Sequence, residues 1–152
     1  MMKIEQKTET IEDSSNEDKR KHLEFIQGVI SRMGGNLFYL RGWSITLVGG
    51  LLALLSQASS KDEFPLILLT GVVIVFWFYD GYFLSLERRY RALYNKVRKQ
   101  PAKDVDYSMD IREFNINKQN SLVYCMFSKT LAPFYLLFLA AAIFLIMRSI
   151  SG

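Results

Sequence analysis

Three long apolar blocks, separated by polar segments, constrain this chain more than any other feature of its sequence. The blocks are Leu37–Leu55, Phe64–Tyr79 and Leu131–Met147, and each is nearly free of charge. Their residues do not alternate between apolar and polar as in a half-buried strand, but form runs suited to helices dissolved in lipid. The sequence therefore predicts an all-α membrane protein with three transmembrane helices.

The N-terminal segment is the least apolar part of the chain. Residues 1–16 are rich in Glu, Thr, Ser and Lys and have little to bury, which predicts a disordered tail. We expect the first helix to begin near Asp18, with Ser15 or Asn16 as its N-terminal cap.

Residues 17–100 predict a long antiparallel helical hairpin. Its two transmembrane spans are expected at about 38–58 and 64–82, joined by the short polar turn Ser56–Glu63. The second helix should stop at Pro101, since proline does not continue a helix.

The C-terminal third of the chain predicts a loop and one more helix. Residues 101–120 are expected to form a cytoplasmic loop, and residues 121–152 a third helix with a span at about 131–148. Pro133 should bend this span or start it, because a proline inside a helix removes a backbone hydrogen bond.

Apolar residues recur at a spacing of three and four on both arms of the hairpin, as in coiled coils. On the first arm they are Leu23, Ile26, Ile30, Met33, Leu37, Leu40, Leu47, Leu51 and Leu54, with a gap at Ser44. On the second arm they are Phe76, Tyr79, Phe83, Leu86, Tyr90, Leu93 and Val97. At about 1.5 Å per residue, the hairpin should project roughly 25 Å into the cytoplasm.

A glycine stripe marks a second face of the first helix. Gly28, Gly35, Gly42 and Gly49 recur every seven residues, roughly opposite the apolar seam. Glycine destabilises a helix in water, so this repeat predicts a packing face where another backbone comes close, as in a homo-oligomer. The alternative is that glycine is simply common in membrane helices.

Basic residues set the expected orientation. The segment 81–130 contains ten Lys and Arg and the first forty residues contain six, whereas the turn Ser56–Glu63 contains one. By the positive-inside rule, the basic segments lie in the cytoplasm. We therefore expect a multi-pass inner-membrane protein with a cytoplasmic N-terminus and a periplasmic C-terminus.

Two charged residues fall at the cytoplasmic ends of the first two spans. Arg41 and Asp80 are each about 20 residues from the middle of the turn, so folding the hairpin places them at the same depth. A charge beside hydrocarbon is costly without a partner, which predicts an ion pair at the membrane rim. Alternatively, each side chain reaches the headgroups separately.

The sequence offers few residues for catalysis or metal binding. His22 is the single histidine and Cys125 the single cysteine, and the Asp and Glu residues are scattered. No nucleophile–base pair, metal-ligand cluster or phosphate-binding glycine loop is recognisable. We therefore expect no enzyme activity, no metal and no cofactor.

The second arm of the hairpin is basic. Arg88, Arg89 and Arg91 lie within ERRYRALYNKVRK and are candidates for an anionic ligand or anionic headgroups, although a solvated helix face explains them too. The acidic segment Asp104–Asp110 is a second candidate for ligand sensing. We expect no stable complex with nucleic acid.

Three stretches carry a resemblance to a known group of proteins. KHLEFIQGVISRMGGNLFYLRGWSITLVGGLLAL, FWFYDGYFLSLERRYRALYNKVR and DYSMD, within about Lys21–Asp110, resemble small transmembrane effectors of bacterial antiphage systems, nearest to those of Pycsar. The resemblance lies in general pattern, and the chain departs from it in having no recognisable cyclic-nucleotide-binding domain.

The resemblance implies a function. A nucleotide cyclase would act as functional partner through its product, cyclic CMP or cyclic UMP, and the effector would then impair the inner membrane and cause abortive infection. An alternative is a non-lethal membrane anchor or a regulatory or channel subunit for a soluble partner. A neighbouring cyclase gene would favour the effector.

Overall fold

We describe the protein from a computed structural model, which covers the backbone of residues 2–57 and 64–151 and the side chains of residues 12–54, 66–144 and 147. Within these residues the chain forms four α-helices: α1 (Met2–Gln57), α2 (Phe64–Lys99), α3 (Leu122–Met126) and α4 (Leu131–Ser151). Three short 3₁₀ helices, Ala102–Asp104, Arg112–Ile116 and Lys118–Asn120, lie between α2 and α3. The described residues include no β-strand, in agreement with the predicted all-α fold.

Two helices are long and apolar enough to cross a membrane. They are Glu12–Leu54 within α1 and Leu66–Lys99 within α2. The apolar part of α4, Leu131–Phe144, is shorter. Two of the three predicted spans thus have the length and composition that crossing a membrane requires.

α1 and α2 form the predicted hairpin, and they pack through two separate apolar clusters. We call residues 12–37 and 84–120 the polar half, and residues 38–54, 66–83 and 131–144 the apolar half. In the polar half, the cluster is Ile26, Ile30, Leu93, Val97 and Val105. In the apolar half, it is Val48, Leu69, Val73, Trp77, Leu131, Tyr135 and Ala142, so that α4 completes this cluster beside α2.

Helix α1 begins earlier than predicted. Residues 2–16, where the sequence predicts a disordered tail, belong to α1, and no helix start occurs near Asp18. Glu17 and Lys21 form an ion pair one turn apart at 3.0 Å, which stabilises a solvated helix. Lys19 Nζ donates hydrogen bonds to the carbonyl oxygens of Arg98 and Gln100 at the end of α2, which holds this part of α1 against its partner.

The predicted seam of α1 is correct up to Leu40 and at Leu51, which packs against the apolar cluster, and it is wrong at Leu47 and Leu54. Ser44 and Val48 are buried in the positions next along the seam, whereas Leu47 and Leu54 are exposed to 42% and 70%. Apolar spacing does not predict Ser44 as a seam residue, because serine is polar although it lies in the helix interface.

The same error occurs on α2. Tyr79 is half exposed, and the neighbouring Asp80 is fully buried in the interface instead. Leu93 and Val97 are buried as predicted. Polar residues thus occupy the seam of both helices where the two halves meet.

The predicted third helix is interrupted. α3 ends at Met126 and α4 begins at Leu131, after a turn in which Ser128 Oγ accepts a hydrogen bond from the backbone N–H of Leu131 at 3.3 Å. Pro133 lies in the first turn of α4, where its missing N–H costs no helical hydrogen bond. Of the two predicted roles, bending or starting the helix, Pro133 therefore has the second, at the start of α4.

The segment predicted as a loop, 101–120, is fastened along α2. Lys96 Nζ pairs with Glu113 at 2.7 Å, and Ser85 Oγ donates to the carbonyl oxygen of Asn120 at 2.5 Å. The segment therefore runs back along the polar half of α2 and leads into α3 at the boundary between the two halves.

Candidate functional site

A buried carboxylate lies at the boundary between the polar and apolar halves. Asp80 is fully buried, and its Oδ2 accepts a hydrogen bond from Arg41 Nε at 3.0 Å, so the predicted Arg41–Asp80 ion pair is present. The Arg41 side chain is 38% exposed, which leaves it partly open to its surroundings. The pair joins α1 to α2 at the same level of the hairpin, as the distance of each residue from the turn predicts.

A third helix contributes to the same group. The hydroxyl of Tyr135 in α4 donates a hydrogen bond to Asp80 Oδ2 at 3.2 Å. Ser44, one turn after Arg41 and also buried, donates its Oγ–H to the carbonyl oxygen of Arg41 at 2.9 Å. We call Arg41, Ser44, Asp80 and Tyr135 the polar node.

The polar node is not fully satisfied. Asp80 Oδ1 is buried and has no hydrogen-bond partner among the described residues, while both donors converge on Oδ2. A buried oxygen without a hydrogen-bond partner destabilises the folded state. The folded protein keeps this unpaired oxygen together with the hydrogen bonds that link three helices at Asp80. Any change in the Arg41–Asp80 contact therefore affects the packing of α1, α2 and α4 together.

Sequence reasoning missed Tyr135. Its hydroxyl lies in the apolar run of α4, where a tyrosine is usually assigned to an aromatic belt. Its ring stacks on Trp77 with centroids 6.1 Å apart, and it is fully buried. The feature of the sequence that could have indicated it is a tyrosine hydroxyl within a run of otherwise apolar residues.

A second unpredicted contact fixes α3. Trp77 Nε1 donates a hydrogen bond to the carbonyl oxygen of Met126 at 2.9 Å. Gly81 lies against the same residue, and a Cβ added to this glycine would collide with the Met126 side chain. The close approach that glycine permits thus occurs at Gly81 on α2.

The four predicted glycines have a different environment. A Cβ added at Gly28, Gly35, Gly42 or Gly49 meets no atom of the described chain within 4 Å. The stripe is therefore an open face of the protomer rather than an internal interface. Its predicted use by a second copy stays a prediction.

The three candidate ligand-binding arginines are engaged with the chain itself. Arg88 Nη1 donates to the carbonyl oxygen of Gln119 at 2.7 Å, and Arg89 Nη2 to Ser85 Oγ at 2.8 Å. Arg91 forms an ion pair with Glu87 at 2.5 Å. The contacts of Arg88 and Arg89 hold the segment before α3 against α2, and the three guanidinium groups bind different partners rather than one anion site.

The acidic candidate segment borders a groove in the polar half. This groove has a volume of about 250 Å³ and is lined by Leu93, Lys96, Val97, Gln100, Asp106, Ser108, Asp110 and Glu113. Lys96 pairs with Glu113 and Arg112 with Asp110, whose pKa this guanidinium lowers. Carboxylates dominate the lining, which disfavours an anion such as a cyclic nucleotide.

His22 and Cys125 are both buried. The His22 ring lies edge-on to Tyr107 with centroids 5.5 Å apart. Burial lowers the pKa of His22, and the carboxylate of Asp106 partly opposes this effect. Burial raises the pKa of the Cys125 thiol, which keeps it protonated and unreactive at neutral pH.

The described residues include no group of three His, Cys, Asp or Glu side chains placed to hold a metal ion. Comparison of the chain with protein-family models, with characterised proteins and with solved structures finds no match.

Proposed function

We propose that this protein is a non-enzymatic membrane effector of an antiphage defence system. In this proposal, a cyclic pyrimidine nucleotide made by a partner cyclase is the activating signal. The effector then impairs the inner membrane, and the infected cell dies before phage is released. The sequence resemblance suggests the biological role, and the arrangement of helices supports the membrane part.

The observation that carries the proposal is the uncovered apolar surface of the apolar half. Large apolar side chains point outward from α1, α2 and α4 along this half. They include Phe38, Trp43, Ile45, Ile67, Ile74, Val75, Phe78, Leu136, Leu137, Ile143 and Phe144. A surface of this extent requires a covering in water, and lipid is the covering that suits helices of this length.

The proposed topology has three spans, with the polar half in the cytoplasm and the C-terminus in the periplasm. The ten Lys and Arg within residues 81–130 support this orientation. An alkaline phosphatase fused after Gly152 should be active, whereas the same reporter fused before Met1 should be inactive. The opposite pattern would contradict the orientation without bearing on the signal.

The polar node offers a way to connect a cytoplasmic signal to the membrane. Residues 101–120 lie along α2 and lead into α3, which contacts Trp77 and Gly81 beside Asp80. A ligand that shifts this segment would disturb α3 and the helices joined at Asp80.

Dye release from vesicles tests the effector proposal directly. The full chain is reconstituted into vesicles of phosphatidylethanolamine and phosphatidylglycerol that contain a self-quenched dye, and cyclic CMP or cyclic UMP is added. We expect release with a cyclic nucleotide and none with linear CMP or UMP. Inserted protein that releases no dye with either cyclic nucleotide would overturn the proposed signal.

A matching experiment in cells uses membrane potential. Cells that express this protein with a pyrimidine cyclase should depolarise after phage infection, and cells with a catalytically inactive cyclase should not. Unchanged potential in the infected cells would contradict the effector role.

A membrane anchor for a soluble partner is the second candidate. Phe25 and Ile116 lie in the polar half and are exposed to 70% and 89%, so both apolar side chains are available for burial by a protein partner. Stoichiometric co-purification that is lost in Phe25→Ser, without any dye release, would favour this anchor or a regulatory subunit over the effector.

A further inference from the structure

The short helix α3 has one face against the protein and one face open. Cys125 is buried, and Met126 lies against Gly81. Val123, Tyr124 and Phe127 are exposed to 64%, 51% and 63%. Phe127 follows Tyr124 by three residues and Val123 by four, and this spacing places the three side chains on a common outward face.

The depth of α3 is set by contacts with α2. Trp77 donates to the Met126 carbonyl at 2.9 Å, and its ring lies 5.4 Å from that of Phe127. Trp77 and Gly81 flank Asp80, at the boundary between the polar and apolar halves. The exposed face of α3 therefore lies at the level where headgroups meet hydrocarbon if the apolar half is in the membrane.

The chain on either side of α3 carries only positive charge. Glu113 is the last acidic residue of the chain, so residues 114–152 contain no Asp or Glu. Lys118 and Lys129 flank α3 and are exposed. The Arg88 guanidinium lies over the Tyr124 ring, 5.7 Å from its centroid. An outward apolar face flanked by unopposed cations is complementary to the surface of an anionic bilayer.

We propose that α3 and the turn after it form an interfacial anchor that binds anionic phospholipid. Val123, Tyr124 and Phe127 enter the boundary between headgroups and acyl chains, and Lys118 and Lys129 contact the lipid phosphates. This inference rests on the proposed insertion of the apolar half into a membrane and adds a lipid contact that the spans themselves do not require.

The anchor also bears on how a signal reaches the membrane. α3 follows directly on the segment that Ser85, Arg88 and Arg89 hold against α2. Displacement of that segment would pull α3 from the lipid surface or push it deeper. The anchor therefore links the polar half to the bilayer by a route separate from the helices α1 and α2.

Spin labels at single cysteines test the depth of α3. In a Cys125→Ser background reconstituted into phosphatidylglycerol-containing vesicles, nitroxides are placed by Val123→Cys, Phe127→Cys, Ile116→Cys or Leu137→Cys. Collision with oxygen reports lipid, and collision with a nickel chelate reports water. We expect the ratio of oxygen to nickel collisions to be much higher at positions 123, 127 and 137 than at position 116.

The pattern of results separates this inference from the proposed function. Water-like ratios at 123 and 127, with a lipid-like ratio at 137, would overturn the anchor and leave the membrane proposal standing. Water-like ratios at all four positions would overturn both. Position 116 is a matched control because Ile116 is also an exposed apolar residue, but lies in the polar half.

The charge requirement has its own test. A spin-labelled phosphatidylglycerol should prefer the protein to the bulk bilayer, and Lys118→Gln/Lys129→Gln should lower that preference severalfold. Lys99→Gln/Lys103→Gln removes two charges at the far end of the polar half and should leave the preference unchanged. Equal effects of the two double variants, or none from either, would overturn the role of Lys118 and Lys129.

Discussion

Tyr135 and Asp80 are 55 positions apart, and the tyrosine hydroxyl donates to the same carboxylate oxygen that Arg41 binds. Asp80 thus receives one charged and one neutral donor from two helices that both pack against α2. The arrangement makes a single carboxylate common to α1, α2 and α4. Loss of this carboxylate should therefore weaken the packing of all three helices rather than of one helix pair.

Replacement of Asp80 by asparagine tests the importance of this charge. Asp80→Asn keeps the shape of the side chain but leaves Arg41 without its ionic partner. Because Arg41 is partly exposed, we expect a loss of about 2 kcal/mol in unfolding free energy, below the ~3–5 kcal/mol for breaking a fully buried pair. Thermal unfolding in detergent measures it. The loss should shrink in an Arg41→Gln background, and Asp110→Asn, at an exposed pair, should change little.

Gly81 should be the glycine at which a methyl group is least tolerated. Gly81→Ala places its Cβ against Met126, and overpacking of this kind costs about 1–3 kcal/mol. Met126→Ala should restore part of that stability. Gly28→Ala is the matched control in α1, where the added methyl meets no described atom and should stabilise the helix by up to ~1 kcal/mol. Equal effects at the two glycines would contradict the predicted clash.

The open glycine stripe predicts a protein–protein contact in the membrane. If a second copy packs on it, Gly42→Leu and Gly49→Leu should dissociate the homo-oligomer without unfolding the protomer. Gly71→Leu on α2 is the control, since Gly71 is equally open but lies outside the stripe. Light scattering of the detergent complex gives the oligomeric state. An unchanged state in both stripe variants would remove the stripe from the interface.

The polar half should lose stability as the pH falls. Burial lowers the pKa of His22 below its ordinary value of 6.5, so the unfolded chain binds a proton more readily than the folded one. The stabilisation is therefore complete above about pH 6.5 and is lost as the pH falls towards and through the lower folded pKa. Hydrogen exchange of residues 22–30 at about pH 7 and about pH 5 measures this loss. His22→Phe keeps a ring against Tyr107 but cannot titrate, so its pH dependence should be weaker.

Local composition made some features predictable and others misleading. The hairpin and the Arg41–Asp80 pair follow from the distance of each residue to one turn, which sequence spacing measures directly. The sequence predicts a later start for α1, because residues 1–16 offer little apolar surface, whereas α1 extends back to Met2. Low hydrophobicity alone did not distinguish a disordered tail from a helix.

The candidate site was predicted in part. Arg41 and Asp80 were identified because a charge next to an apolar run is visible in the sequence. The sequence does not predict Ser44 or Tyr135, since nothing local indicates that Ser44 is buried beside Arg41 or that Tyr135 faces the carboxylate. The arginines at 88 and 89 were identified as basic, but their donors are directed to a returning segment whose path sequence does not reveal.

The sequence by itself determined the helical class, the hairpin and the level at which the polar and apolar halves meet. These features depend on apolar periodicity and on the number of residues from the turn, and both can be counted in the sequence. Tertiary structure alone decided that the last helix breaks between Met126 and Leu131 and that α3 lies at this level. Those outcomes depend on Trp77, Gly81 and Asp80 meeting residues about fifty positions away. Such contacts arise only when three helices pack, since no local preference specifies which distant backbone comes within hydrogen-bonding distance.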